Sequence, residues 1–152
     1  MPDADPVTDA LELAGALYRA AHTVHGTDGA LDRLRTELAT GDTRLALLLL
    51  HNLPTDDTVA LAGDVVPYAL SGRDTLLVRH IFGRLPRHQA EGVVPAAVRA
   101  QLAKTADGDA YRSLLGLLDH LGLDAALREL AETAAASDDP DVHEVGEEYL
   151  AE

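Results

Sequence analysis

Two stretches decide the fold: "DTRLALLLLHNLP", residues 42 to 54, and "DTLLVRHIFGRLP", residues 74 to 86. They align without a gap at an offset of 74 − 42 = 32 residues, pairing Asp42 with Asp74, Ala46 with Val78, Leu50 with Phe82, Leu53 with Leu85 and Pro54 with Pro86. In each copy the apolar positions recur at helical spacing, an aspartate stands where free backbone N–H groups need an acceptor, and a proline stands where a helix must stop. A third copy, "DAYRSLLGLLDHLG" (109 to 122), fits with one inserted residue and brings Leu114, Leu118, Leu121 and Gly122 to the same stations. Each copy therefore predicts a helix opened by Asp42, Asp74 or Asp109.

A second helical segment follows each copy, at 55–71, 87–104 and 123–136. The first two share the cores "DVVPYAL" and "GVVPAAV", so Pro67 and Pro95 are each expected to bend or restart a helix. Their spacing of 28 instead of 32 differs by about one helical turn, which keeps the same face buried. Upstream, Asp5 is a natural cap for a helix from Pro6 to about Val24, and a second segment over 28–39 ends at Gly41. The run at 45–50, "LALLLL", is apolar on all sides and predicts a helix covered by neighbours on both flanks. Alternating strand patterns are missing, which makes the expected class all-α with about nine helical segments.

The end of the chain repeats the opening of a pair. In "SDDPDVHEVGEEYL" (137 to 150), Asp139 caps, Pro140 takes the first helical position, and Val142, Val145 and Tyr149 form the buried stripe. This run, Asp139-Pro140-Asp141-Val142 followed by Val145, Tyr149 and Leu150, resembles the start of a HEAT-type repeat, with His143 where that family usually carries arginine. The resemblance covers roughly 42–151, and the earlier copies lack its Asp-Pro-x-Val opening. It implies a right-handed α-solenoid whose second helices line a concave, macromolecule-gripping surface; an armadillo-like or irregular helical stack is the neighbouring architecture. One subgroup it brings in is similar to lyase-type HEAT proteins that handle bilins. The physics of stacking agrees, because a lone helix pair cannot bury both of its faces and terminal units must close the ends. The division expected is a single helical-repeat domain over 1–152: a capping pair at 6–40, repeats at 42–71, 74–104 and 109–136, and a closing half-repeat at 139–151.

Composition narrows the chemistry. The 152 residues carry 12 basic and 26 acidic side chains, a net charge of −14 that opposes nucleic-acid phosphates and anionic lipid. Five aromatic rings and no tryptophan give little for bases to stack on. There is no cysteine, which rules out disulfides and thiolate zinc sites. No run approaches the ~18 to 20 apolar residues of a membrane span, and the start has no signal-peptide pattern, so a soluble, cytoplasmic protein is expected.

Each candidate for chemistry has a plainer explanation. His22 and His25, three apart with Asp28 beyond, supply two imidazoles and a carboxylate, but the spacing is not that of the helical zinc motif, and histidines at a helix end also suit its negative dipole. His51, His80 and His120 fall at different stations of their repeats, which argues against a catalytic row. His88 and Glu91 could pair as acid and base, as many surface neighbours do. The acids of "TDD" (55–57) and "SDDPD" (137–141) are read as capping groups. No constellation supports catalysis, and no metal or cofactor is expected.

Five of the twelve basic residues, Arg79, Arg84, Arg87, Arg99 and Lys104, lie between 79 and 104. If the second helix of this repeat faces the concavity, Arg87, His88, Glu91 and Arg99 would contact an acidic or carboxylate-bearing partner through forked hydrogen bonds; the plainer alternative is that the arginines pair with acids of adjacent repeats. The function expected is a non-enzymatic module that binds a protein partner on its concave face. The alternatives are a lyase-like HEAT protein holding a tetrapyrrole or other small molecule, and an acidic, immunity-type decoy of a cationic protein. Self-association through the terminal helices is left open: the closing helix lacks a following partner, while Glu144, Glu147 and Glu148 suggest a polar end.

Overall fold

A computed structural model describes residues 5–151. Those residues form helices joined by short connections, and no strand occurs among them. In chain order the helices are α1 (Pro6–Val24), α2 (Ala30–Thr40), α3 (Thr43–Asn52), α4 (Thr55–Ala60), α5 (Ala62–Val65), α6 (Thr75–Gly83), α7 (Arg87–Leu102), α8 (Gly108–His120), α9 (Asp124–Ala135) and α10 (Pro140–Ala151); a 3-10 turn, Val66–Leu70, follows α5. No helix among the described residues is long and apolar enough to cross a membrane.

Aspartates open four of these helices by accepting backbone N–H bonds that would otherwise be unmet. Asp5 accepts from Val7 at 3.1 Å, Asp42 from Leu45 at 3.0 Å, Asp107 from Ala110 at 2.8 Å and Asp139 from Asp141 at 3.0 Å. Two caps depart from the sequence reading. In the third copy the cap is Asp107, not Asp109, because the helix begins at Gly108. Asp74 makes no side-chain cap to its own helix; it is nearly buried and accepts from Arg44 Nη1 at 2.9 Å, a stronger charge-assisted partner. The third copy ends on Gly122, whose φ of +64° closes α8 with Leu123 N–H donating back to Leu118.

The stations shared by the repeats are where the core lies. Leu50, Phe82, Leu114 and Leu118 are fully buried, and Ala46, Val78, Leu53 and Leu85 are buried beside them. Val142 and Val145 of α10 are buried as the stripe requires, while Tyr149 is partly buried against the same cluster. All but Ala134 and Val142 of the buried apolar residues form one contiguous cluster running from Ala21 to Val145. The apolar run at 45–50 is not covered on all sides: Leu47 and Leu50 are fully buried, but Leu45 is 61% exposed and Leu48 40%, because the neighbours of α3 leave one flank open.

The two proline-containing segments also diverge. Pro67 restarts the chain as a 3-10 turn, and the 55–71 segment is divided into α4, α5 and that turn. Helix α7 runs continuously through Pro95, forfeiting the backbone bond that proline cannot donate.

Neighbouring units are tied by side chains that bridge about one repeat, in either direction along the chain. Side-chain hydrogen bonds between non-consecutive elements include His25 to Asp57, Arg35 to Asp64, Arg44 to Asp74, Gln89 to Asp56, Arg99 to Glu129 and Arg112 to Glu148, with separations of 29 to 36 residues. Arg84, at the end of α6, donates to the carbonyls of His51 and Leu53, the latter at 3.0 Å, and so satisfies orphan acceptors at the C-terminus of α3. Main-chain proximity follows the same order: α3 lies on α6, α5 on α7, α7 on α8, α8 on α9, and α10 on both α8 and α9.

Candidate functional site

The four-residue spacing of Arg87, Glu91, Pro95 and Arg99 puts them on one stripe of α7. That stripe forms one wall of an open groove of about 470 Å³; Leu123 to Ala126 and Glu129, from the start of α9, form the other. Pro95, Leu123 and Ala126 are buried and make an apolar floor, whereas the charged side chains stand at the rims.

Each rim arginine is held by an acid while keeping donors exposed. Arg99 grips Glu129 with both arms of its fork, Nη2 at 2.7 Å and Nε at 3.2 Å. Arg87 donates Nε to Glu91 at 2.7 Å and Nη2 to the Gly122 carbonyl at 3.1 Å, stabilising the C-terminus of α8. The side chains of Arg87 and Arg99 are 66% and 43% exposed, so these pairs add little to stability, and their guanidinium faces stay open to a visiting group. Such a groove can offer hydrogen bonds to carboxylates on either side of an apolar strip.

Three of the residues named from sequence, Arg87, Glu91 and Arg99, meet in this groove. His88 does not: one residue round the helix from Arg87, it is exposed and lies off the lining stripe. The acid–base pairing weighed for His88 and Glu91 is replaced by the Arg87–Glu91 bond. The wall contributed by α9 was missed from sequence. Glu129 lies 129 − 99 = 30 residues beyond Arg99, and stepping ahead by one repeat period would have found it.

The histidines take separate places. His22 packs edge-on against Tyr18 with ring centroids 4.5 Å apart, while His25 Nδ1 lies 3.0 Å from Asp57. Asp57 is nearly buried, so its role is to anchor the α1–α2 connection, and Asp56 accepts from Gln89; the capping role read for "TDD" is not what these acids do, since α4 starts after Pro54 without a side-chain cap. His51 and His80 face each other with ring centroids 6.5 Å apart, between α3 and α6. Burial first, then the Arg84 guanidinium and His80, hold the His51 imidazole below its usual protonation range. His120 lines a different cavity, with Phe82, Leu85 and Ala90. No group of three or more His, Asp or Glu side chains among the described residues is arranged so that it could hold a metal ion.

A scan against protein-family models, a search of curated proteins and a search of solved structures each found no match to this chain.

Proposed function

We propose that the chain is a non-enzymatic, HEAT-like helical-repeat module, its helix pairs stacked as a right-handed superhelix, that receives a segment of a protein partner in the groove between α7 and α9. The reading rests chiefly on one observation: a floor of Pro95, Leu123 and Ala126 lies between rims carrying Arg87, Glu91, Arg99 and Glu129. Apolar strips bordered by exposed charges are the usual anatomy of a site that buries a side chain at its centre and orients it by hydrogen bonds at the edge. The superhelix is supported by side-chain ties that span about one period and by core residues that recur at equivalent stations.

The partner segment best suited to this groove carries an apolar side chain for the floor and a carboxylate within reach of Arg87 or Arg99. A photo-crosslinking residue placed at Ala125, on the groove, and another at Asp109, away from it, provide the test in lysate of the native host. The expected result is a discrete adduct at 125 that Arg99→Glu abolishes and that is missing at 109. Equal capture at both positions, or capture at 125 indifferent to Arg99→Glu, overturns the proposal.

A further inference from the structure

A second hollow adjoins the groove at the start of α7. It measures about 320 Å³ and lies among the end of α6, the start of α7 and the end of α8. Its floor is apolar: Phe82, Leu85, Ala90 and Leu123 are buried, and Leu121 is partly so. Two polar side chains stand on its walls, Arg87 and His120, and both are exposed. No carboxylate lines it. The groove next to it carries Glu91, Asp124 and Glu129, and along the chain acids outnumber bases by 26 to 12, so a lining with two basic groups and no acid stands apart.

Both of these side chains keep donors unspent. Arg87 gives Nε to Glu91 at 2.7 Å and Nη2 to the Gly122 carbonyl at 3.1 Å, but its Nη1 has no partner among the described residues. That nitrogen stands 3.8 Å from where a Cβ on Gly122 would be, between the two leucines that line the cavity. His120 likewise has no hydrogen bond or ion pair among the described residues. The Arg87 bond to the Gly122 carbonyl also offsets the negative end of α8, which would otherwise repel an anion.

We infer that this cavity binds a small monocarboxylic acid with an apolar body, such as an aryl or branched alkanoate. Its carboxylate takes Arg87 Nη1 and an N–H of His120, and its hydrocarbon covers the floor of Phe82, Leu85 and Leu123. A neutral apolar molecule would displace water from these donors without giving them an acceptor, and a cation would meet the Arg87 charge. The volume falls at the lower end of the ~300 to 1,000 Å³ of small-molecule sites. A peptide segment is the poorer occupant. Arg87 lines both hollows and, tied to Glu91 and to Gly122, forms a partition that a chain would have to open on its way from the groove. The cavity therefore holds its ligand whether or not a partner lies in the groove.

Amide chemical shifts of the isotope-labelled full chain, followed during titration with phenylbutyrate, test the inference. Shifts are expected at Gly83, Leu85, Ala90 and Leu121, with dissociation near about 1 mM, the affinity that about twelve heavy atoms ordinarily supply. Phenylbutyramide, the same body without the charge, should bind at least about tenfold more weakly. Arg87→Gln should weaken phenylbutyrate about tenfold and His120→Gln about threefold, with the circular dichroism unchanged because both side chains are exposed. Arg99→Glu, outside the cavity, should leave the titration as it is while abolishing capture in the groove, so the two sites fail separately. Shifts absent from the cavity residues, or equal affinity for acid and amide, overturn the inference. A peptide ending in a free phenylalanine that binds more than about tenfold tighter than phenylbutyrate overturns it in favour of a partner's C-terminus.

Discussion

Helices α1 and α10 begin alike and end in opposite situations. Each opens with an aspartate cap followed by proline, Asp5-Pro6 and Asp139-Pro140, and each aspartate accepts a backbone bond from two residues on. Yet α10 lies so close on α9 that Gly146 has no room for a side chain, while α1 buries Ala21 alone. The difference teaches that local chemistry starts a helix, whereas a neighbour at the right period decides what becomes of its apolar face. Helix α10 has α8 and α9 before it; for α1 the described chain provides α3 at one end only.

The sharpest way to break this comparison is to truncate an apolar residue in each helix. Val145→Ala removes two buried methyl groups and should cost about 1–3 kcal/mol in urea unfolding. Leu13→Ala removes more of a side chain, but Leu13 is 71% exposed, and the change should stay within about 0.5 kcal/mol. Equal losses would mean that α1 is packed in solution as firmly as α10.

A second pair of substitutions is expected to differ in sign. A Cβ at Gly146 would stand 2.2 Å from Ala135 N and 2.7 Å from the Ala131 carbonyl, backbone atoms that move only if the helices part. Gly146→Ala should therefore destabilise by about 1–3 kcal/mol, more than the gain in helix propensity returns. At Gly15 the new methyl would meet only the tip of Arg19, which can swing away. Gly15→Ala should raise the helicity of α1 by up to about 1 kcal/mol, visible as added ellipticity at 222 nm.

Hydrogen exchange resolves the same contrast without mutation. In dilute solution the amides of residues 9–18 are expected to exchange through local fraying, far faster than those of 143–149, which open with the core. Matching protection along both helices would contradict the packing described.

These contrasts also mark how far the sequence could be read. Repeated stations named the core where each unit has a neighbour one period away: Leu50, Phe82 and Leu118 sit where the alignment puts them. Caps were legible where aspartate has no better partner, as at Asp42 and Asp139, and illegible at Asp74 and Asp57, whose carboxylates are claimed by Arg44 and His25 from one repeat earlier. The groove was half legible. The α7 stripe of Arg87, Glu91 and Arg99 showed as a local basic cluster, but Glu129 and the apolar floor depend on how α9 lies beside it. The open flank of α3, with Leu45 and Leu48 exposed, was read as covered, since an all-apolar helix reveals nothing about which side has a neighbour.

The smallest expected effect concerns pH. His51 is held below its ordinary range first because burial strips water from its ring, then because Arg84 and His80 stand near it. In the unfolded chain the same imidazole titrates at its ordinary value of about 6.5. Between the lowered folded midpoint and 6.5 the unfolded state thus binds more protons than the folded one, and stability must rise with pH across that window. The contribution is complete above pH 6.5 and is lost as pH falls toward the folded midpoint. His51→Gln should flatten that part of the profile, with urea midpoints at pH 5 and 7.5 drawn closer together than in the parent chain. An NMR titration placing the His51 midpoint at or above 6.5 would remove the cause, and the α3–α6 contact would then owe its pH response to other groups.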